Sequence, residues 1–99
     1  ILYEALKRDE AALRYEAATA CGEIGDKTSV PNLIPMVDDP DNHVQLAAID
    51  AMGKIGGTAA KQELLGHLKN PDGSIRDAAE NALDNIEAED TLGAPFTKN

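Results

Sequence analysis

Three side chains in this sequence are of types that carry out nucleophilic or metal chemistry: Cys21, His43 and His67. A thiol nucleophile needs a neighbouring base to activate it. Cys21 instead falls in an apolar repeat pattern at the position of Met52 and Leu83, which predicts a buried core residue. Neither histidine belongs to a His-x-x-x-His pair or another metal-ligand spacing. The sequence therefore predicts no catalytic residue, no metal site and no cofactor, and hence a protein that is not an enzyme.

The acidic stretch Asp38-Asp39-Pro40-Asp41 is the other candidate for binding chemistry, because carboxylates attract hard cations such as Ca²⁺. It lacks the glycine and glutamate of an EF-hand loop, and we interpret it as a solvated turn. The glycines Gly25 and Gly56-Gly57 lack a phosphate-loop pattern, and we interpret them as helix caps.

Composition limits the partners of this chain. Its 99 residues carry a net charge of −9, which repels phosphate backbones and anionic lipids, so nucleic acid and membrane surfaces are not expected partners. The apolar runs are too short to span a bilayer. Cys21 is the only cysteine, so no internal disulfide can form, which predicts a reducing, cytoplasmic location.

An internal repeat with a period of 31 residues dominates the sequence. When residues 12–42 are aligned with residues 43–73, eight of 31 positions are identical without a gap. A further step of 31 residues continues the same apolar register to Ile86. The identical pairs are Ala17/Ala48, Ala20/Ala51, Gly22/Gly53, Ile24/Ile55, Gly25/Gly56, Leu33/Leu64, Pro40/Pro71 and Asp41/Asp72.

Each repeat has the pattern of two antiparallel helices that must stack on their neighbours, because one hairpin cannot bury both of its sides. Gly25 and Gly56 are expected to cap helices in the left-handed conformation, and Pro35 to kink or widen its helix. The sequence thus predicts an all-α fold, an α-α superhelix (solenoid) of about three 31-residue helical hairpins. The expected helices lie near 2–8, 12–24, 29–38, 43–55, 59–69 and 74–87.

The predicted domain organisation follows the same period. A repeat domain over residues 1–87 contains repeats near 1–25, 26–56 and 57–87. Residues 88–99 are expected to form a C-terminal tail or cap.

Residues 13–26 and 28–34 carry the motifs of a known family. The segments Ala20-Cys21-Gly22-Glu23-Ile24-Gly25-Asp26 and Val30-Pro31-Asn32-Leu33-Ile34 resemble the short HEAT-like repeat of the phycobilisome lyase type. The resemblance implies HEAT-like hairpins and allows a role as a component of a bilin lyase or chromophore-handling system. An iron-dependent hydroxylase built from similar repeats uses His-Glu pairs, whereas here Val44 and Leu68 follow the histidines.

A possible protein-binding face consists of positions opposite the apolar stripe on the second helix of each repeat. The resemblance implies that these helices line a concave surface, where exposed apolar groups bordered by acids would suit a protein or basic peptide. We therefore expect a non-catalytic interaction scaffold or adaptor that is part of a longer repeat protein. The candidate contact residues are Tyr15, Leu46, Ile49, Asp77, Glu80 and Asp84.

Overall fold

The computed structural model describes residues 10–93, which form five α-helices and no strand. The all-α prediction is confirmed for this part of the chain, and the helix expected at 2–8 lies outside the described residues. The helices are α1 (Ala11–Ile24), α2 (Val30–Leu33), α3 (Asn42–Ile55), α4 (Gly57–Gly66) and α5 (Gly73–Gly93).

The three long helices form one layer of the stack. Helix α3 packs against α1 on one side and α5 on the other, so the layer follows chain order. Helix α2 packs against α3, while α4 packs against both α3 and α5. The short helices therefore lie against the long-helix layer, as expected for stacked hairpins.

Glycine and aspartate form the turns between helices at the predicted positions. Gly25 and Gly56 have φ angles of 77° and 72°, a region that side-chain-bearing residues rarely adopt. The Asp41 carboxylate accepts hydrogen bonds from the backbone N–H groups of His43 (2.8 Å) and Val44 (3.3 Å), and so caps α3.

The helix around Pro35 is interrupted, but the helical turn there becomes tighter rather than wider. Helix α2 ends at Leu33, and the chain continues as a 3₁₀ helix over Ile34–Asp38. Proline has no backbone N–H and its ring collides with the preceding turn, so a regular α-helix cannot continue through this position. The helix expected over 29–38 is thus divided into short segments.

Helix α5 differs from α1 and α3 because it does not end at the repeat boundary. Glu87 occupies the position of Gly25 and Gly56, so no left-handed cap forms, and the helix continues to Gly93. The prediction that the helix ends at residue 87 is wrong for this reason. Residues 94–99 of the expected tail lie outside the described residues.

Small and aliphatic side chains fill the space between the helices. Cys21 is fully buried, which confirms its assignment to the core. Ile24 is 64% exposed, whereas its repeat counterparts Ile55 and Ile86 are buried. In the described part of the chain no long helix precedes α1, so nothing there covers this side of the helix.

Candidate functional site

Helix α3 contacts α1 and α5 through two opposite faces. An ideal Cβ built on Gly22 would lie 2.8 Å from Ala51 Cα, and one on Gly53 would lie 2.9 Å from Ala82 Cα. We call the side that faces the next long helix the trailing face, and the side that faces the previous one the leading face. Gly22 and Gly53 thus lie on trailing faces, where the neighbouring backbone leaves no room for a side chain.

The six predicted binding residues occupy equivalent repeat positions on the three long helices, on the side that carries Gly22 and Gly53. Ile49, one turn before Gly53, is fully buried. Its predicted role in partner contact is wrong, because the packing of α3 against α5 covers this face. Leu46 is half-buried, and Tyr15 at the start of the α1 trailing face is 45% exposed.

The trailing face of α5 carries Asp77, Glu80 and Asp84, all exposed. No described helix follows α5, so these residues are brought together on an uncovered surface. Within the six candidates, only Leu46 and Asp77 share one concavity.

That concavity is a groove of about 620 Å³ between α3 and α5, which we call the α3–α5 groove. No residue of α2 or α4 lines it, so it lies on the free side of the long-helix layer. The lining residues are Leu46, Asp50, Gly53, Lys54, Ser74, Asp77, Ala78, Asn81, Ala82 and Asn85.

The polar groups of the α3–α5 groove are two carboxylates, two amides, the Lys54 ammonium and the Ser74 hydroxyl. Asn85 Nδ2 donates a hydrogen bond of 3.1 Å to the carbonyl oxygen of Gly53, which ties the two helices together. Asp50 pairs with Lys54 at 3.4 Å, and Asp77 and Asn81 are exposed at the rim. Oxygen acceptors of this kind bind ammonium groups.

Sequence reasoning missed Asp50, Asn81 and Asn85 as groove residues. Their repeat positions do not match those of Tyr15 or Leu46, so the search along equivalent positions did not reach them. Asn81 and Asn85 are spaced at i and i+4 on α5, which places them on one helix face. This spacing is the sequence signal that could have identified them.

Asp39 is not the solvated residue that its acidic neighbours suggested. Its carboxylate forms two bonds with the Arg14 guanidinium, from Nε to Oδ2 (2.8 Å) and from Nη2 to Oδ1 (3.1 Å), and its side chain is only 5% exposed. Burial alone would raise the pKa of Asp39, but the bonds from Arg14 and the Asp41 N–H outweigh it and lower that pKa. This pair joins α1 to the turn before α3.

The two histidines have different surroundings. His43 is exposed, with 86% of its side chain in solvent. His67 Nε2 lies 2.9 Å from Glu63 Oε2, and its Nδ1 lies 3.3 Å from Asn70 Nδ2. Between residues 10 and 93, no three His, Cys, Asp or Glu side chains are grouped so as to hold a metal ion.

The family of the chain follows from the match between its sequence and a family model. The model described as HEAT repeats matches residues 1–84. The chain belongs to the HEAT repeat family. The phycobilisome lyase type within that broader family is not confirmed. No curated protein sequence matches this HEAT repeat chain significantly.

Among solved structures, human deoxyhypusine hydroxylase in complex with glycerol is similar to this HEAT repeat chain. The TM-score is 0.82 at 28% sequence identity, over 89% of this chain and 31% of that protein. The chain thus spans about a third of the human enzyme's length. The similarity contradicts the expectation of a non-catalytic scaffold or adaptor and of a protein that is not an enzyme, because the similar structure is an enzyme.

The described helices of this HEAT repeat chain include none that is both long and apolar enough to cross a membrane.

Proposed function

We propose that this chain is a segment of a larger HEAT repeat enzyme of the deoxyhypusine hydroxylase type, in which the α3–α5 groove holds the amine-bearing part of the substrate. The observation that carries the proposal is the structural similarity to human deoxyhypusine hydroxylase over 89% of this chain. The segment supplies repeat framework and binding surface to that larger protein. The single free cysteine supports a reducing, cytoplasmic location.

The charge of the α3–α5 groove supports an amine-bearing substrate. Deoxyhypusine carries amino groups and is therefore cationic at neutral pH. Asp77 on α5 and Asp50 on α3 place carboxylates on both sides of the groove. Leu46, which also lines it, offers apolar surface for the methylene groups of such a chain. The net charge of −9 adds a long-range attraction for cations.

The described residues do not fit an iron site of the His-Glu type. His43 and His67 are followed by Val44 and Leu68, and the half-buried His67 is held by Glu63 and Asn70. No step of a hydroxylation is therefore assigned to residues 10–93. The role proposed for them is to bind and orient the substrate.

The proposal can be tested by isothermal titration calorimetry, in which the chain is titrated with a short peptide that contains deoxyhypusine. We expect the double substitution Asp50→Asn and Asp77→Asn to weaken binding about tenfold, since each exposed carboxylate contributes up to about 1 kcal/mol to an ion pair. Raising the salt concentration should weaken binding to the wild type more than to the double variant.

Asp38→Asn is the matched control, because Asp38 is an exposed aspartate on the 3₁₀ helix outside the groove. It should bind like the wild type. If the double variant binds as tightly as this control, the groove is not the substrate site. If the same peptide with lysine in place of deoxyhypusine binds equally well, the groove is a general basic-peptide surface and the hydroxylase-type assignment fails.

A further inference from the structure

The contacts between long helices depend on a very small residue at one trailing-face position. Gly22 and Gly53 occupy that position on α1 and α3, and the neighbouring helix lies within 3 Å of where a Cβ would be. Ala18 and Ile49, one turn earlier, are fully buried by the same packing. A trailing face therefore accepts a following helix only if this position has no side chain of its own.

On α5 the equivalent position is Asp84, which would place a whole carboxylate side chain into that contact. Asp77 and Glu80 stand at the positions of Leu46 and Ile49, so the apolar pair of α3 is replaced by two acids. Burying these carboxylates against another helix would leave them without water or partners, at a large cost in free energy.

The C-terminal end of α5 is a second feature that departs from the repeat. Glu87 at the cap-glycine position lets α5 continue to Gly93, whereas α1 and α3 turn back after Ile24 and Ile55. Helix α5 thus lacks the left-handed glycine at which α1 and α3 turn back. The side chains at the packing position and the backbone at the turn are independent features, and both depart from the repeat at the same helix.

We infer that α5 is the terminal helix of its stack and that its trailing face is a polar cap, which prevents another repeat or a second copy of the chain from docking in the register of α1, α3 and α5. Terminal repeats of solenoids need such an outer face to stay in solution. The opposite end differs, because the leading face of α1 exposes Ile24 and partly exposes Leu13 and Ala20. A chain with an opened α5 face would therefore find a complementary face on α1 of another copy.

The test converts the trailing face of α5 into a copy of that of α3 in the full chain, by Asp77→Leu, Glu80→Ile and Asp84→Gly. Sedimentation analysis is expected to show that the wild type is a monomer. The triple variant should self-associate, because the substitutions create an exposed apolar surface. The charge-matched control carries Glu16→Leu, Glu23→Ile and Asp38→Gly at other exposed acids. We expect it to associate at least about tenfold more weakly than the triple variant.

A triple variant that keeps the helical circular dichroism of the wild type and remains monomeric would overturn the inference. So would disulfide-linked dimers of the single variants Asp77→Cys or Glu80→Cys, because they would place the trailing face of α5 in contact with another copy. If the triple variant fails to fold, the double variant Glu80→Ala and Asp84→Gly, which copies Ala18 and Gly22 of α1, takes its place. If this double variant self-associates more strongly than the matched control, the result supports the inference that the trailing face of α5 is a polar cap. If it remains a monomer, the result contradicts that inference.

Discussion

Gly53→Leu is expected to lower the free energy of unfolding by about 3 kcal/mol or more, because the added side chain must force α3 and α5 apart. Even the first carbon of that side chain would lie 2.7 Å from Ala82 Cβ and 2.9 Å from Ala82 Cα. Leucine favours the helix by somewhat under about 1 kcal/mol relative to glycine, which is too little to offset the steric cost. Urea denaturation followed by circular dichroism measures the difference.

Gly66 provides the control, since it is also helical but a Cβ there would have no neighbour within 4 Å. Gly66→Ala is expected to raise the free energy of unfolding by about 0.5–1 kcal/mol, whereas Gly53→Ala should lower it by about 1–2 kcal/mol. Equal effects at the two glycines would show that α3 and α5 do not approach each other as closely as described.

Arg14→Met is expected to have the second large effect: it should lower the free energy of unfolding by about 2–4 kcal/mol at neutral pH. The substitution keeps much of the apolar stem but leaves the Asp39 carboxylate without its two bonds from the guanidinium, in a site where only 5% of the side chain reaches solvent. Gln45 occupies the same repeat position on α3, where it accepts a hydrogen bond from exposed Asn42. Gln45→Met should therefore cost less than about 1 kcal/mol.

The effect of Arg14→Met should depend on pH. The folded-state pKa of Asp39 is lowered, so its stabilising contribution is present above the unfolded-state pKa and is lost as the pH falls through the folded-state pKa. The difference in free energy of unfolding between the wild type and Arg14→Met should therefore become smaller at acidic pH. Asp26 and Asp72 also have lowered pKa values, through hydrogen bonds from Thr28 and Ser74, but these bonds are present in both proteins and cancel. A gap that stays constant between neutral and acidic pH would contradict the assigned role of the pair.

The fold could be predicted from the sequence because its determinants are local and repeated. Gly25 and Gly56 were expected to adopt the left-handed conformation that they have, because they follow the apolar stripe at the same place in successive repeats. The Asp39 pair could not be predicted, because its partner Arg14 lies 25 residues earlier and the middle repeat carries no such pair.

The binding face was assigned incorrectly because helix periodicity alone does not say which neighbour covers a given face. Ile49 points away from the stripe of its own helix, and that side is covered by the next repeat. The similarity to an enzyme was not predicted either, because neither histidine has a metal-ligand spacing and no metal-binding cluster lies between residues 10 and 93.

The central claim, that the α3–α5 groove binds the amine-bearing substrate of a hydroxylase-type enzyme, is tested most directly by nuclear magnetic resonance. Amide chemical shifts of the ¹⁵N-labelled chain would be recorded during titration with the deoxyhypusine peptide and with its lysine counterpart. The account predicts that shifts unique to the deoxyhypusine peptide concentrate at Leu46, Asp50, Asp77 and Asn81. Shifts confined to α2 and α4, identical shifts with both peptides, or no shifts at saturating peptide would contradict it.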